Sequence, residues 1–243
     1  MLPKIDVPIY TITLPLSKKK IRFRPFLVKE EKLLLMAMES GEQNTVIGAT
    51  KQIVNNCCLD DIDIEKIAIV DFEYLFLNLR ARSVNEIVDL KYKCNNKIKG
   101  EDGSENDCGN VVNLKVNILE IEPTVEKNHT NKIELTKNMG VVMQYPNFKL
   151  LEKENYDSDV EKIMEIICEC VDYIYDEDNI YYKKDISKEE ITEFIESMTK
   201  DQFAKVQKFF DTIPKIKKEI DFKCNKCGYS EIITLEGIQN FFV

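Results

Sequence analysis

Two stretches of this 243-residue chain, far apart in sequence, are written in the same local grammar. DLKYKC runs into Cys94 and IDFKC runs into Cys224, while CGNVVNLKV leads away from Cys108 and CGYSEIITL leads away from Cys227. Each is an alternating strand that delivers a cysteine, followed by a Cys-Gly step into an outgoing strand. Glycine at that step tolerates positive φ, which lets the backbone wrap a sulfur and aim N–H groups at it. One C-x-x-C cannot close a tetrahedral site, but two such knuckles supply Cys94, Cys108, Cys224 and Cys227, the ligand set of a structural Zn²⁺. Four thiolates leave no open coordination position for water or substrate, so this metal is expected to hold the chain rather than perform chemistry. They also leave a formal charge near -2, which Lys91, Lys93, Lys223 and Lys226 stand close enough in sequence to offset. The first knuckle is swollen: NNKIKGEDGSEND separates Cys94 from Cys108 where Cys224 and Cys227 have two residues between them. A polar loop of that kind accepts insertion at low entropic cost.

The remaining four cysteines read differently. Cys57–Cys58 and Cys168–Cys170 lie in apolar helical stretches and are expected to be small core residues. Hydrophobic residues at 44% and charged residues at 32% describe a globular chain able to bury a core. No apolar run reaches the length of a membrane span, and MLPKIDVPIYTITLPL lacks the layout of a signal peptide, so a cytoplasmic site of synthesis is expected. The net charge of -9 argues against a general nucleic-acid binder. That charge is concentrated: fourteen Asp or Glu face four Lys between Asp157 and Glu196, whereas KKKIRFR, from Lys18 to Arg24, holds five basic residues in seven. Opposite patches of this sort serve either as solvated faces or as complementary docking surfaces.

Along the chain, Tyr10, Ile12 and Leu14, then Ile21 and Phe23, alternate about a polar turn and predict a β-hairpin whose first strand ends at Pro15 and whose second stops at Pro25. Three helices follow: VKEEKLLLMAMES ending at Gly41, residues 43–58, and a third capped by Asp63 with Ile67, Val70, Tyr74, Leu77 and Leu79 on its apolar face. Strands then flank the cysteines, with a further hairpin over 131–145. Helical periodicity returns in Val160, Ile163, Met164, Ile167, Val171 and Ile174. A Ser187–Glu190 capping box precedes ITEFIESM, and KDQFAKVQKFFDTIP stops at Pro214. The fold class is α+β: an N-terminal hairpin with a small helical bundle (1–85), a small sheet carrying a discontinuous zinc-ribbon-like site (86–157 with 214–243), and an acidic helical insertion (158–213).

Catalytic motifs are absent from this pattern. His129, the single histidine, sits in the polar stretch EKNHTNK and reads as a solvated loop residue. No phosphate-cradling glycine loop occurs, and DEDN at 176–179 lacks the glycine and terminal glutamate of a calcium loop. KKKIRFR interleaves a phenylalanine with cations as a nucleic-acid strand would need. As a hairpin strand, however, it places Ile21 and Phe23 on one face and Lys20, Arg22 and Arg24 on the other, which favours a protein partner.

The blocks PIYTITLPLSKKKIRFRPF and RPFLVKEEK, the mid-chain cysteine knuckle and the terminal TLEGIQNFF resemble, in that order, the T4 bacteriophage base plate protein family. The resemblance implies a non-enzymatic structural or assembly protein of the phage tail hub, made in the host cytoplasm and destined for the virion. Its partners would be other baseplate hub and tail proteins, with no small-molecule substrate and no membrane. Docking would then fall to Lys18, Lys19, Lys20, Arg22, Arg24 and Phe26, and to Phe241 and Phe242 if these insert into a partner. A zinc-ribbon nucleic-acid or transcription-associated factor is the alternative, and a tail assembly chaperone absent from the finished particle is a third.

Overall fold

The computed structural model describes residues 5–99, 105–151 and 159–237, which form two compact units. One unit takes the chain up to 62, 70–124 and 215 onward, and the other takes 63–69 and 125–214. The first opens with the expected hairpin, β1 (Tyr10–Thr13) against β2 (Lys20–Phe23), with Tyr10 opposite Phe23 and Ile12 opposite Ile21. Ile21 and Phe23 are buried while Lys20 and Arg22 face solvent. The connecting loop is fixed from behind: buried Asp71 accepts the N–H groups of Leu16 and Ser17 at 2.7 and 2.9 Å. A carboxylate is tolerated in this core because its oxygens have backbone donors.

Helices α1 (Val28–Ser40), α2 (Gln43–Cys57) and α3 (Ile69–Ser83) follow. Gly41, at φ 68°, ends α1 by donating its N–H to the Met38 carbonyl, as its sequence position predicts. The third helix starts later than expected. Asp63 closes a single turn, accepting from Lys66 and Ile67, and its carboxylate pairs with Lys66 at 2.8 Å. Ala68 then forms a β-bridge with Asn147, so helical geometry cannot begin before Ile69. Nor does α3 bury a single stripe: Val70, Phe72, Leu75, Phe76, Leu77 and Leu79 are all inside, the pattern of a central helix.

Strand β3 (Ile87–Lys93) pairs antiparallel with β6 (Val111–Asn117). The loop between them carries a small hairpin of its own, β4 (Lys97–Lys99) with β5 (Glu105–Asp107), and β7 (Pro123–Thr124) closes this stretch. The second unit contributes β8 (Lys132–Glu134) and β9 (Gly140–Met143), the hairpin expected over 131–145, and the short helix α4 (Phe148–Leu151). After α5 (Asp159–Glu169) come β10 (Val171–Tyr175) and β11 (Ile180–Tyr182), and then α6 (Lys188–Glu196) and α7 (Lys200–Asp211).

The two strands inside 158–213 correct the all-helical expectation for that segment. VDYIY continues the helical spacing of α5, but its β-branched and aromatic residues pair with β9 in a sheet of order β11-β10-β9-β8, and tertiary pairing overrides the period. The Ser187–Glu190 capping box is formed at 2.7 and 3.2 Å. Ile133, Val141, Ile167, Val171, Ile191, Val206 and Phe209 centre this unit's core, with Cys168 and Cys170 in it. The unit boundaries fall at 124/125 and 214/215, so residues 125–151 group with the acidic helices and not with the cysteine strands.

Back in the first unit, β12 (Lys215–Lys223) pairs with β13 (Ser230–Glu236) on one side and with β7 on the other. The cysteine strands therefore make two ribbons, β3-β6 and β13-β12-β7, where one small sheet was expected. Each knuckle's strands use their ladder bonds on one another, and what the ribbons share is a cluster of side chains at their cysteine ends.

Candidate metal centre

Cys94 directly follows β3 and Cys224 directly follows β12, each continuing a strand whose alternation turns the cysteine inward after an exposed lysine. The two knuckles are closed by the same bonds. The Cys94 N–H donates to the Asn110 carbonyl at 2.8 Å and Gly109 N–H returns to the Cys94 carbonyl at 3.1 Å. At the other knuckle, Cys224 N–H donates to Tyr229 at 2.8 Å and Gly228 N–H returns to Cys224 at 3.0 Å. Gly109 and Gly228 both hold positive φ, 61° and 75°, which is why glycine follows the second cysteine in each. Thirteen residues or two between the cysteines make no difference to this frame.

Four sulfurs converge. The Sγ atoms of Cys94 and Cys227 lie 3.7 Å apart, as do those of Cys108 and Cys224, and all four lie within 4.8 Å of one another. Disulfide sulfurs would be about 2.05 Å apart, whereas a tetrahedral ion with metal–sulfur bonds near 2.3 Å needs sulfur–sulfur edges of about 3.8 Å. The edges fit the metal. Cys94, Cys108 and Cys224 are buried and Cys227 is half-buried.

Around them, each sulfur accepts a backbone N–H from two residues onward: Asn96 to Cys94, Asn110 to Cys108, Lys226 to Cys224, and Tyr229 to Cys227. The N–H of Cys227 also reaches Cys224 and, with the others, holds that thiol down to about 6. Burial instead pushes Cys94 up to about 12. Sulfurs held this close cannot all be thiolates without a cation among them, and the donor set is that of a soft or borderline divalent metal.

Sequence reasoning named the four cysteines that the fold brings together and missed two neighbours. The Asn110 side chain donates to Cys224 Sγ at 3.5 Å and to Asn225 Oδ1 at 2.6 Å, and Asn96 donates to Cys227 Sγ at 3.7 Å, so each asparagine reaches across to the opposite knuckle. Their signal was present, since both stand two residues after a cysteine of the first knuckle. Of the lysines nominated to balance charge, Lys226 reaches the centre, donating to the Cys108 carbonyl at 3.3 Å. Tyr92 and Phe222 pack against the cysteines with ring centroids 4.8 Å apart.

The nominated docking residues are placed unevenly. Lys18, Lys19 and Lys20 are exposed at the hairpin turn. Arg22 is exposed and forms a forked pair with Asp60, Nε at 3.0 Å and Nη2 at 2.6 Å from Oδ1. Arg24 points inward, donating to buried Glu30 at 3.0 Å and to the Asn56 carbonyl at 3.0 Å. Burial alone would raise the Glu30 carboxyl, but the hydrogen bonds from Arg24 and the Leu27 N–H outweigh it and hold it below its usual range. Phe26 is half-buried against Phe76. Phe241 and Phe242 lie outside the described residues.

His129 differs from expectation. It is half-buried rather than solvated, bridging Thr212 Oγ1 at 2.9 Å and the Tyr145 hydroxyl at 3.0 Å and stacking on Phe209. DEDN forms the tip of the β10–β11 hairpin. There Asp176 accepts from its own backbone at Asp178 and Asn179 and from the Tyr181 hydroxyl, so its oxygens are engaged in the turn. No helix among the described residues is long and apolar enough to cross a membrane.

A family model described as T4 bacteriophage base plate protein matches residues 7–243 of the chain. No curated protein and no solved structure matches it.

Proposed function

The chain belongs to the T4 bacteriophage base plate protein family, and from that premise we propose that it is a non-enzymatic hub or assembly component of a phage tail that acts by docking to other tail proteins. The family supports a structural role in the base plate. The single observation that carries the reading is the match over residues 7–243, which takes in both units and the cysteine knuckles alike. The metal belongs to the same reading: Cys94, Cys108, Cys224 and Cys227 hold Zn²⁺ in a zinc-ribbon-like clasp, supported by the 3.7 Å sulfur edges and by one backbone donor for each sulfur. When bound, the ion supplies a fixed tetrahedral cross-link and no reactive position.

Docking is assigned to the exposed Lys18, Lys19, Lys20 and Arg22, with Arg24 and Phe26 shaping the hairpin from behind and Phe241 and Phe242 as candidate anchors. Cations at a rim act mainly on association rate and orientation. The decisive experiment is mass spectrometry of purified virions and of tail-assembly intermediates from the same infection. A hub component is found in both. A chain found in intermediates alone is an assembly factor. A chain found in neither, or one that binds DNA with a steep salt dependence, overturns the reading. Stoichiometric zinc in protein purified without chelator, lost in Cys224→Ser, tests the metal, and its absence removes the zinc claim while leaving the base plate role standing.

A further inference from the structure

The four-stranded sheet of the second unit ends at β11, and among the described residues no strand pairs with the outer edge of Ile180–Tyr182. An open edge is a template for another strand, and proteins usually blunt it with lysine or proline within the strand. Here the edge carries Ile180, Tyr181 and Tyr182, exposed by 54, 41 and 46%. Register sorts the hairpin's side chains between two faces. Tyr173 pairs with Tyr182 and Tyr175 with Ile180 on one face, while Ile174 pairs with Tyr181 on the other. A cleft opens beside the hairpin on each. The first, about 350 Å³, is lined by Tyr173, Tyr175, Asp176, Glu177 and Asp178 together with Lys132, so three carboxylates face one cation there. The second, about 320 Å³, is lined mainly by Met139, Ile174, Tyr181, Ile186 and Phe194, with Asp176 and Glu190 also in its wall.

The tyrosine face already receives cations from its own chain, Lys132 Nζ at 4.9 Å from the Tyr175 ring and Lys184 Nζ at 5.6 Å from Tyr182. An incoming strand alternates its side chains between the same two faces. On the first it meets tyrosine rings with Asp176, Glu177 and Asp178, which outnumber Lys132, and on the second a largely apolar cleft.

We propose that the outer edge of β11 is a strand-addition site for a partner polypeptide whose segment alternates Lys or Arg with aliphatic residues. Main-chain bonds to Ile180–Tyr182 hold it, and the two unlike clefts select its side chains. This site is separate from the Lys18–Lys20 hairpin and independent of the base plate assignment, so absence of the chain from virions leaves it untouched.

A fluorescein-labelled peptide of alternating lysine and valine is the probe, with alternating glutamate and valine as its counterpart. The lysine peptide is expected to bind the full-length protein saturably and to slow amide exchange at 180–182. The double substitution Glu177→Lys, Asp178→Lys changes surface side chains only, and it should weaken binding by about tenfold or more, the size of effect expected when like charges are opposed across an interface. Ile180→Lys, which leaves the acids in place, should weaken it as well. Equal binding of the glutamate peptide, unchanged affinity in the charge-reversed protein, or binding without protection at 180–182 overturns the proposal. So does protection of 180–182 in peptide-free protein that sediments as a dimer, which would make the occupant a second copy of this chain.

Discussion

The two cysteine ribbons and the four-stranded unit hold themselves together in opposite ways. Around the knuckles the buried cluster consists of Phe222 with three cysteines, and Tyr92, Val112, Leu114 and Ile233 only partly cover it. The β8–β11 unit buries Ile133, Val141, Val171, Ile191, Val206, Phe209 and others in a continuous apolar core. Apolar burial contributes about 25 cal/mol per Å², and the ribbons' far ends have it in Val88, Leu90, Val116, Ile216 and Leu235, so it is their cysteine ends that need another source of stability, and a metal bound by folding-dependent thiolates is the usual one. The difference teaches where to look for metals: at strand ends whose core is too small to account for their order.

That contrast can be broken most forcefully at the sulfurs. Cys224→Ser, or a strong chelator, should strip the knuckle ends of the ribbons of amide-exchange protection over 92–94, 108–112 and 222–230 while leaving 125–214 protected. Structural zinc in small domains is worth on the order of 10 kcal/mol, so this is the largest effect expected, and knuckle ends that stay protected would show that the metal is dispensable. The reciprocal change is Phe209→Ala. It removes a buried ring that packs on His129, Tyr145 and Phe210, and should cost about 3–5 kcal/mol in the unfolding of the second unit with zinc content unchanged.

A smaller test separates the knuckles from one another. Gly109→Ala and Gly228→Ala each force a side chain into left-handed backbone, a cost of about 1–2 kcal/mol. Since both glycines hold positive φ, the two losses should match by thermal melting despite the unequal loops.

The smallest effect is a pH dependence confined to the four-stranded unit. Burial lowers the pKa of His129 below its ordinary value. The unfolded imidazole takes up its proton near pH 6.5, and the folded one takes it up only at lower pH. Stability from this residue is therefore complete above about pH 6.5 and declines as pH falls through that range. His129→Gln should flatten the slope in urea titrations, and an unchanged slope would assign the acid sensitivity elsewhere.

Much of this was legible in the sequence because its signals are local. Strand–Cys and Cys-Gly–strand are short patterns with one backbone solution, so the four cysteines that cluster could be read, as could the β1–β2 alternation, Gly41 and the Ser187 box. What escaped depended on distant partners. VDYIY looks helical until β9 lies beside it, since Val171 and Ile174 fit a period of 3.6 as well as a strand. Asp71 reads as a helix surface residue until Leu16 and Ser17 present their N–H groups, 55 and 54 residues away. His129 seemed solvated because its neighbours in sequence are polar, but its neighbours in space are Thr212, Tyr145 and Phe209. Asn96 and Asn110 look like loop filler, and only the folded pair of knuckles turns each toward the other's sulfur.

The separation of 116 positions from Cys108 to Cys224 also imposes an order of events on synthesis. At roughly 5–20 residues per second, the first pair of thiols leaves the ribosome about 6–23 s before the second. Throughout that interval the half-site can be protected only by its own loop and backbone donors. Assembly of the cluster therefore comes nearly last, and a chain broken off between Cys108 and Cys224 carries only the first pair of sulfurs.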